Sequence, residues 1–247
     1  MTSRWKLIIE YNGLPFNGWQ SQKDVSGVQD FLSQAIKDFC GEDVKIFAAG
    51  RTDSGVHAHG QVAHFDLERV TDSNELREAL NSHLKPNPIA ILNVEEVTDK
   101  FHARFSAIKR YYKYGIINRR APLTLDKGKY WRVGKNLDID PMIKASKYLL
   151  GNHDFTTFRS THCQSSSPIK TIDSIKIQKE RLEIKIIVSA RSFLHNQVRS
   201  IVGSLKLVGE GKWDERKIKE ILEGRDRTLC GPVAPSEGLS LIKVDYE

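Results

Sequence analysis

Residues 26–41 read SGVQDFLSQAIKDFCG, and their apolar positions set the period for everything around them. Val28, Phe31, Leu32, Ala35, Ile36 and Phe39 recur at three- and four-residue spacing, which places them on one face of a helix and on no face of a strand. Ser26 and Gln29 form a capping-box pattern at the start, and Gly41 stops the run. On the N-terminal side, KLIIEYNG (residues 6–13) reads as a strand ending in an Asn-Gly turn. On the other side, VKIFAAG (44–50) and QVAHFDL (61–67) read as strands. NELREALNSHL (74–84) reads as a helix ended by Pro86, and IAILNVEEV (89–97) as a further strand. The order is β-α-β-β-α-β, a split βαβ unit.

The same order returns after residue 105 with looser spacing. It predicts a strand over RYYKYGIIN (110–118), a helix over PMIKASKYLLG (141–151) and a hairpin of IDSIKIQ (172–178) with LEIKIIVSA (182–190). A helix over FLHNQVRSIVGSLKLVG (193–209), a shorter one near ERKIKEILEG (215–224) and a closing strand LSLIKVDY (239–246) follow. The expectation is an α+β protein of two similar halves, 1–105 and 106–247. Their sheets should lie side by side around a central basic cleft. GNHDFTTFRSTHCQSSSPIK (151–170) has no clear period, and a loop of that length in a compact domain is usually functional. Its aromatics and His153 favour a functional role.

Composition narrows the chemistry. The chain has 247 residues, 39% of them hydrophobic, enough for a sizeable core. No window approaches a membrane span and the first residues alternate like a strand, so a cytoplasmic protein is expected, with no membrane partner. Cys40, Cys163 and Cys230 are far apart without CxxC spacing and suggest neither a disulfide framework nor a cysteine zinc site. The net charge of +7 favours polyanions. Basic residues are interleaved with aromatics in FHARFSAIKRYYKYGIINRR (101–120) and HDFTTFRSTH (153–162), a mixture suited to phosphate contact and base stacking.

The chemistry concentrates in AAGRTDSGVHAHGQVAHFD, residues 48–66. Three readings compete for it. A cation two residues from a carboxylate, as Arg51 is from Asp53, favours the ionised form, which suits a nucleophile and spoils a general acid. His57 and His59, with His64 or Asp66, offer metal-ligand types for a hydrolase or deaminase. Asp and Gly are also ordinary turn residues. Outside this stretch, His195, Arg199 and Gly203 recur every four residues and form a polar and small stripe beside apolar Val198, Ile201, Val202 and Leu205.

Six segments in order, YNGLPFNGWQ, AGRTDSGVHAHGQVAHF, FHARFSAIKRYYKYGIIN, GNHDFTTFRS, FLHNQVRSIVGSL and EGLSLIKVDY, resemble the tRNA pseudouridine synthase A family over almost the whole chain. The resemblance implies an isomerase that converts uridine to pseudouridine at positions 38, 39 and 40 of the tRNA anticodon stem-loop, with no cofactor and no metal. It implies a homodimer in which one tRNA touches both subunits. It implies Asp53 as catalytic nucleophile, Tyr112 as active-site tyrosine and Arg199 as the arginine paired with the aspartate. Arg51 and Leu239 match further motif positions and, with Tyr112 and His195, are expected substrate contacts. Tyr112 rather than Tyr111 fits the family's Arg-x-Tyr-x-Tyr pattern through Arg110 and Tyr114. Ser54 stands where similar proteins often carry Ala or Lys. A non-catalytic RNA-binding protein is the alternative from another class.

Overall fold

The computed structural model describes residues 2–20 and 26–247. In chain order the elements are β1 (Ser3–Tyr11), α1 (Val28–Cys40), β2 (Phe47–Ala48), β3 (His57–Leu67), α2 (Ser73–Leu84) and β4 (Ile89–Val97). They continue with β5 (Ala107–Asn118), β6 (Trp131–Val133), α3 (Ile139–Ser146), β7 (Gly151–Asp154) and β8 (Ile169–Glu180). β9 (Glu183–Ala190), α4 (Gln197–Gly209), α5 (Lys217–Gly224) and β10 (Leu239–Tyr246) complete the order. The chain is α+β. It divides into unit 1, residues 1–108 with 241–247, and unit 2, residues 109–240.

Unit 1 has the predicted β-α-β-β-α-β order. β1 pairs antiparallel with β3 and β4, and β2 with β3. Trp5, Leu7, Ile9 and Tyr11 alternate along β1 and are buried, as a strand with one face on a core requires. The helices cover them with Val28, Leu32, Ala35 and Ile36 of α1 and Leu76, Leu80 and Leu84 of α2. α1 begins one residue later than a Ser26 cap requires: Gly27 is the N-cap, and its N–H donates to the Asp30 carboxylate at 2.8 Å. The strand expected over 44–50 shortens to Phe47–Ala48.

Unit 2 runs its strands in the order β5, β9, β8, β7, with β6 parallel to the end of β5. Two expectations change here. The aperiodic stretch 151–170 contains β7 and a short 3₁₀ turn (Thr156–Phe158), and Phe155 and Phe158 have no exposed surface. They are core residues, not stacking platforms; His153 is tied to the Leu150 carbonyl through Nε2 at 2.7 Å. The second is α4, which starts at Gln197 instead of 193, because Asn196 adopts the left-handed conformation at φ 62° and breaks the helical path before it. Among the described residues no helix is long and apolar enough to cross a membrane.

Candidate active site

Asp53 lies in the connection between β2 and β3, and the YNGLPFNGW segment explains its shape. The Val56 N–H donates to the Asp53 carbonyl at 3.1 Å, closing a turn in which Gly55 takes φ 77°. The loop after β1 wraps this turn backbone to backbone. A Cβ on Gly13 would stand 2.0 Å from the Val56 carbonyl oxygen, and one on Gly18 2.5 Å from that of Thr52, so only glycine permits the approach. The Trp19 N–H donates to the Thr52 carbonyl at 3.0 Å, and the Gly13 N–H to Nδ1 of His57 at 3.0 Å. Thr52 is buried between Arg51, which is exposed, and Asp53, which is half-buried. Its hydroxyl pairs with that of Tyr11 at 2.8 Å, and burial pushes the Tyr11 phenol up to about 12, so it stays neutral. Gln61 Nε2 holds the Gly50 carbonyl at 2.7 Å. The carboxylate-bearing residue is thus fixed from both sides while facing partly outward.

The histidines of the same stretch separate. His57 is buried with Nδ1 occupied by Gly13, and His59 is exposed with Nδ1 3.8 Å from the Glu10 carboxylate. His64 stacks on Phe47, accepts the Ala103 N–H at 3.1 Å, and has its pKa lowered to about 4 by burial, with the His102 ring and the Arg4 charge adding to the effect. Among the described residues no three His, Cys, Asp or Glu side chains are grouped to hold a metal ion. The trio named from the sequence has other partners.

In unit 2, Arg110, Tyr112 and Tyr114 alternate along β5 and share one face of the strand, with Tyr111 on the other. Arg110 is buried and donates through Nη1 to the Arg191 carbonyl. Half-buried Tyr112 meets Phe193 edge to face, with centroids 5.3 Å apart. Tyr114 is fully buried; its hydroxyl donates to the Pro235 carbonyl at 2.8 Å, and burial raises its pKa against the opposing influence of the Arg199 charge. Arg199 donates from Nε to the neighbouring Ala234 carbonyl at 2.7 Å and from Nη1 to Asn196 Oδ1 at 2.8 Å. Segment 234–235 therefore gathers Arg199 and the Tyr114 end of β5, and the same stretch runs on through a 3₁₀ turn to buried Leu239.

The stripe of His195, Arg199 and Gly203 does not hold together. His195 precedes α4 and is exposed, with its N–H on Cys163 Sγ at 3.4 Å. Gly203 is a packing glycine, because a Cβ there would reach within 1.7 Å of the Pro232 carbonyl oxygen. Sequence reasoning missed Asn196 and the glycine cradle. Positive φ at an asparagine has no local signature, but the paired NG dipeptides of NGLPFNG were a visible cue.

The family model described as tRNA pseudouridine synthase matches residues 7–106 and 145–247. A relative from Parvibaculum lavamentivorans, a tRNA pseudouridine synthase A, is 58% identical over 99% of both chains. Relatives of the same name from Xanthobacter autotrophicus and Maricaulis maris are 54% and 52% identical, each over 98% of this chain and 99% and 98% of their own. With the family model covering most of its length, the chain belongs to the tRNA pseudouridine synthase family.

Proposed function

We propose that this chain isomerises uridine to pseudouridine in tRNA, with Asp53 as nucleophile, Tyr112 against the target base and Arg199 as the cation that accompanies Asp53. The observation that carries the reading is identity of 52–58% to tRNA pseudouridine synthases A over 98–99% of this chain. The reaction breaks the bond from ribose C1′ to N1, rotates the uracil and joins C1′ to C5. C5 loses a proton and N1 gains one, so atoms and electrons balance without an oxidant or a phosphoryl donor. What it needs is a carboxylate and a proton acceptor. An ionised aspartate serves by attack at C1′ or C6, or by removing a ribose proton. The Tyr112 ring is suited to stack on an extruded uracil, and its hydroxyl to take the C5 proton in an assisting environment. Leu239 supplies an apolar wall. Extruding a base costs about a few kcal/mol, which contacts to phosphate, with Arg51 and His195 as candidates, must offset.

The resemblance supports a reading in which the target uridines are at positions 38, 39 and 40 of the anticodon stem-loop and the working unit is a homodimer. The test is incubation of the purified protein with unmodified tRNA, followed by mapping of pseudouridine at single-nucleotide resolution. Pseudouridine at those positions is expected; tRNA left unchanged would overturn the reading. Molecular mass in solution, measured with and without tRNA, decides the dimer.

A further inference from the structure

β5 and β6 run parallel, pairing Ile116 with Trp131, Ile117 with Arg132 and Asn118 with Val133, so both strands end at the same edge of unit 2. Asn118 clips the two ends together. Its Nδ2 donates to the carbonyls of Val133 and Lys135 at 2.9 and 2.7 Å, and its Oδ1 accepts the Leu137 N–H at 3.0 Å. The residues that follow each strand therefore face one another across a cavity of about 630 Å³ whose lining includes Arg119, Arg120, Arg132 and Lys135, with no acidic and no aromatic side chain.

Three of the four cations are held by backbone carbonyls, and none of the four is neutralised. Arg119 Nη2 donates to the Pro122 carbonyl at 2.9 Å, Arg132 Nη1 to that of Arg120 at 2.6 Å, and Lys135 Nζ to that of Glu210 at 2.7 Å. Glu210 turns its carboxylate to Lys206 and Lys212, at 2.7 and 3.1 Å. Among the described residues none of the four cations has a carboxylate partner, and Arg119 Nε is buried with no hydrogen-bond acceptor. Four like charges around one cavity repel each other unless an anion lies between them.

We propose that this cavity is a binding site for backbone phosphates of the substrate RNA, a second anchor remote from the reacting uridine. Tyr112 lies on β5 and Arg119 is the first residue past its end, seven positions on, about 23 Å at the usual strand rise. The anchor therefore grips a part of the tRNA well away from the target. The volume exceeds that of a single phosphate, and without an aromatic wall the site offers a nucleotide base nothing to stack on. A run of sugar-phosphate backbone fits both facts. Residues 118–136 lie between the two segments matched by the family model. The inference rests on the tRNA reading above for the identity of the polyanion.

The test uses the full-length protein and Arg120→Glu. The Arg120 side chain is exposed and makes no hydrogen bond, so the fold does not depend on it. Titration with unmodified tRNA across a salt series should show affinity falling about tenfold or more, with the slope of log affinity against log salt reduced by about one. The rate at saturating tRNA should change far less. The milder Arg120→Gln/Arg132→Gln pair should move affinity and slope the same way. Lys219→Glu, an equal charge change at an exposed position of α5, controls for net charge. Unchanged affinity in both cavity variants, or an equal loss in Lys219→Glu, overturns the proposal. So does a melting-temperature rise with inorganic phosphate that Arg120→Glu abolishes while tRNA affinity stays put, which would make this a free-phosphate site. Absence of pseudouridine with the parent protein defeats the functional reading separately, and the titration still decides the cavity.

Discussion

The two units differ at two corresponding kinds of corner, a strand-to-strand connection and a helix start. In unit 1, β2 and β3 are joined by the eight residues from Ala49 to Val56, which carry Arg51 and Asp53. In unit 2 the matching connection, between β8 and β9, is Arg181 and Leu182 alone, with Arg181 at φ 54°. At the next corner the contrast reverses. α2 starts conventionally, the Asp72 side chain accepting the N–H groups of Asn74 and Glu75. α4 starts on left-handed Asn196, whose side-chain oxygen is spent on Arg199 instead of on the helix. The two-residue hairpin of Arg181 and Leu182 carries no carboxylate, and the Asp72 side chain of α2 serves backbone N–H groups where that of Asn196 serves an arginine. One half has specialised its loop and the other its helix start.

The sharpest way to break this contrast is Asp53→Asn. If the lengthened loop carries the reacting group, conversion in a single turnover should fall about a thousandfold or more, because the amide keeps the shape but not the charge. tRNA binding measured on the same preparation should survive, since loss of a negative charge does not weaken attraction to phosphate. Conversion near the parent rate would reduce Asp53 to a turn residue. Arg199→Ala probes the other corner. Turnover should fall about a hundredfold, with a much smaller change in tRNA affinity; a collapse of affinity with normal bound-state turnover would make Arg199 a phosphate contact.

Smaller effects sharpen the account of the cradle. Gly13→Ala forces a methyl against the Val56 carbonyl and should cost about 1–3 kcal/mol in denaturant unfolding. Gly50→Ala, three residues from Asp53 and with open space at its Cβ, should be nearly neutral. Equal costs would show that the close approach of the two loops is not what fixes the turn.

A separate effect concerns pH. His64, lowered to about 4 from 6.5, binds its proton less readily in the folded chain than in the unfolded one. Its contribution is complete above pH 6.5, and stability declines as pH falls through the window from 6.5 to about 4. His64→Gln should flatten unfolding curves across that window; an unchanged slope would assign it to other groups.

What was legible in the sequence is what local repetition dictates. β4 and β10 have the predicted bounds, and α1 begins and ends where its apolar period does, because burial on one face writes itself into neighbouring residues. Asp53, Tyr112 and Arg199 were singled out through motif resemblance. What was not legible depends on distant partners. Phe155 and Phe158 sit in an aperiodic stretch anchored partly by the Thr157 hydroxyl on the Ile221 carbonyl, 64 positions away. Gly13 is required by a carbonyl at residue 56. The backbone at Asn196 was missed because its reward, the grip on Arg199, is a side-chain contact that no periodicity encodes.

Residues 241–247 return to unit 1, and this makes one of its contacts non-local. Val244 and Tyr246 pack on the small cluster of Ala49, Val62 and Ala103, and the Tyr246 hydroxyl donates to the Ala103 carbonyl at 2.7 Å. Ala49 is the first residue of the connection that carries Asp53. Unit 1 is thus closed by a segment more than a hundred positions away from its other elements, while unit 2 is continuous in sequence. Contacts spanning more than a hundred residues close late because their loop entropy must be overcome first. Truncation at residue 240 would take Val244 and Tyr246 from the cluster beneath Ala49 and loosen one end of the connection that carries Asp53, while the contacts from Gly13, Trp19 and Gln61 remain.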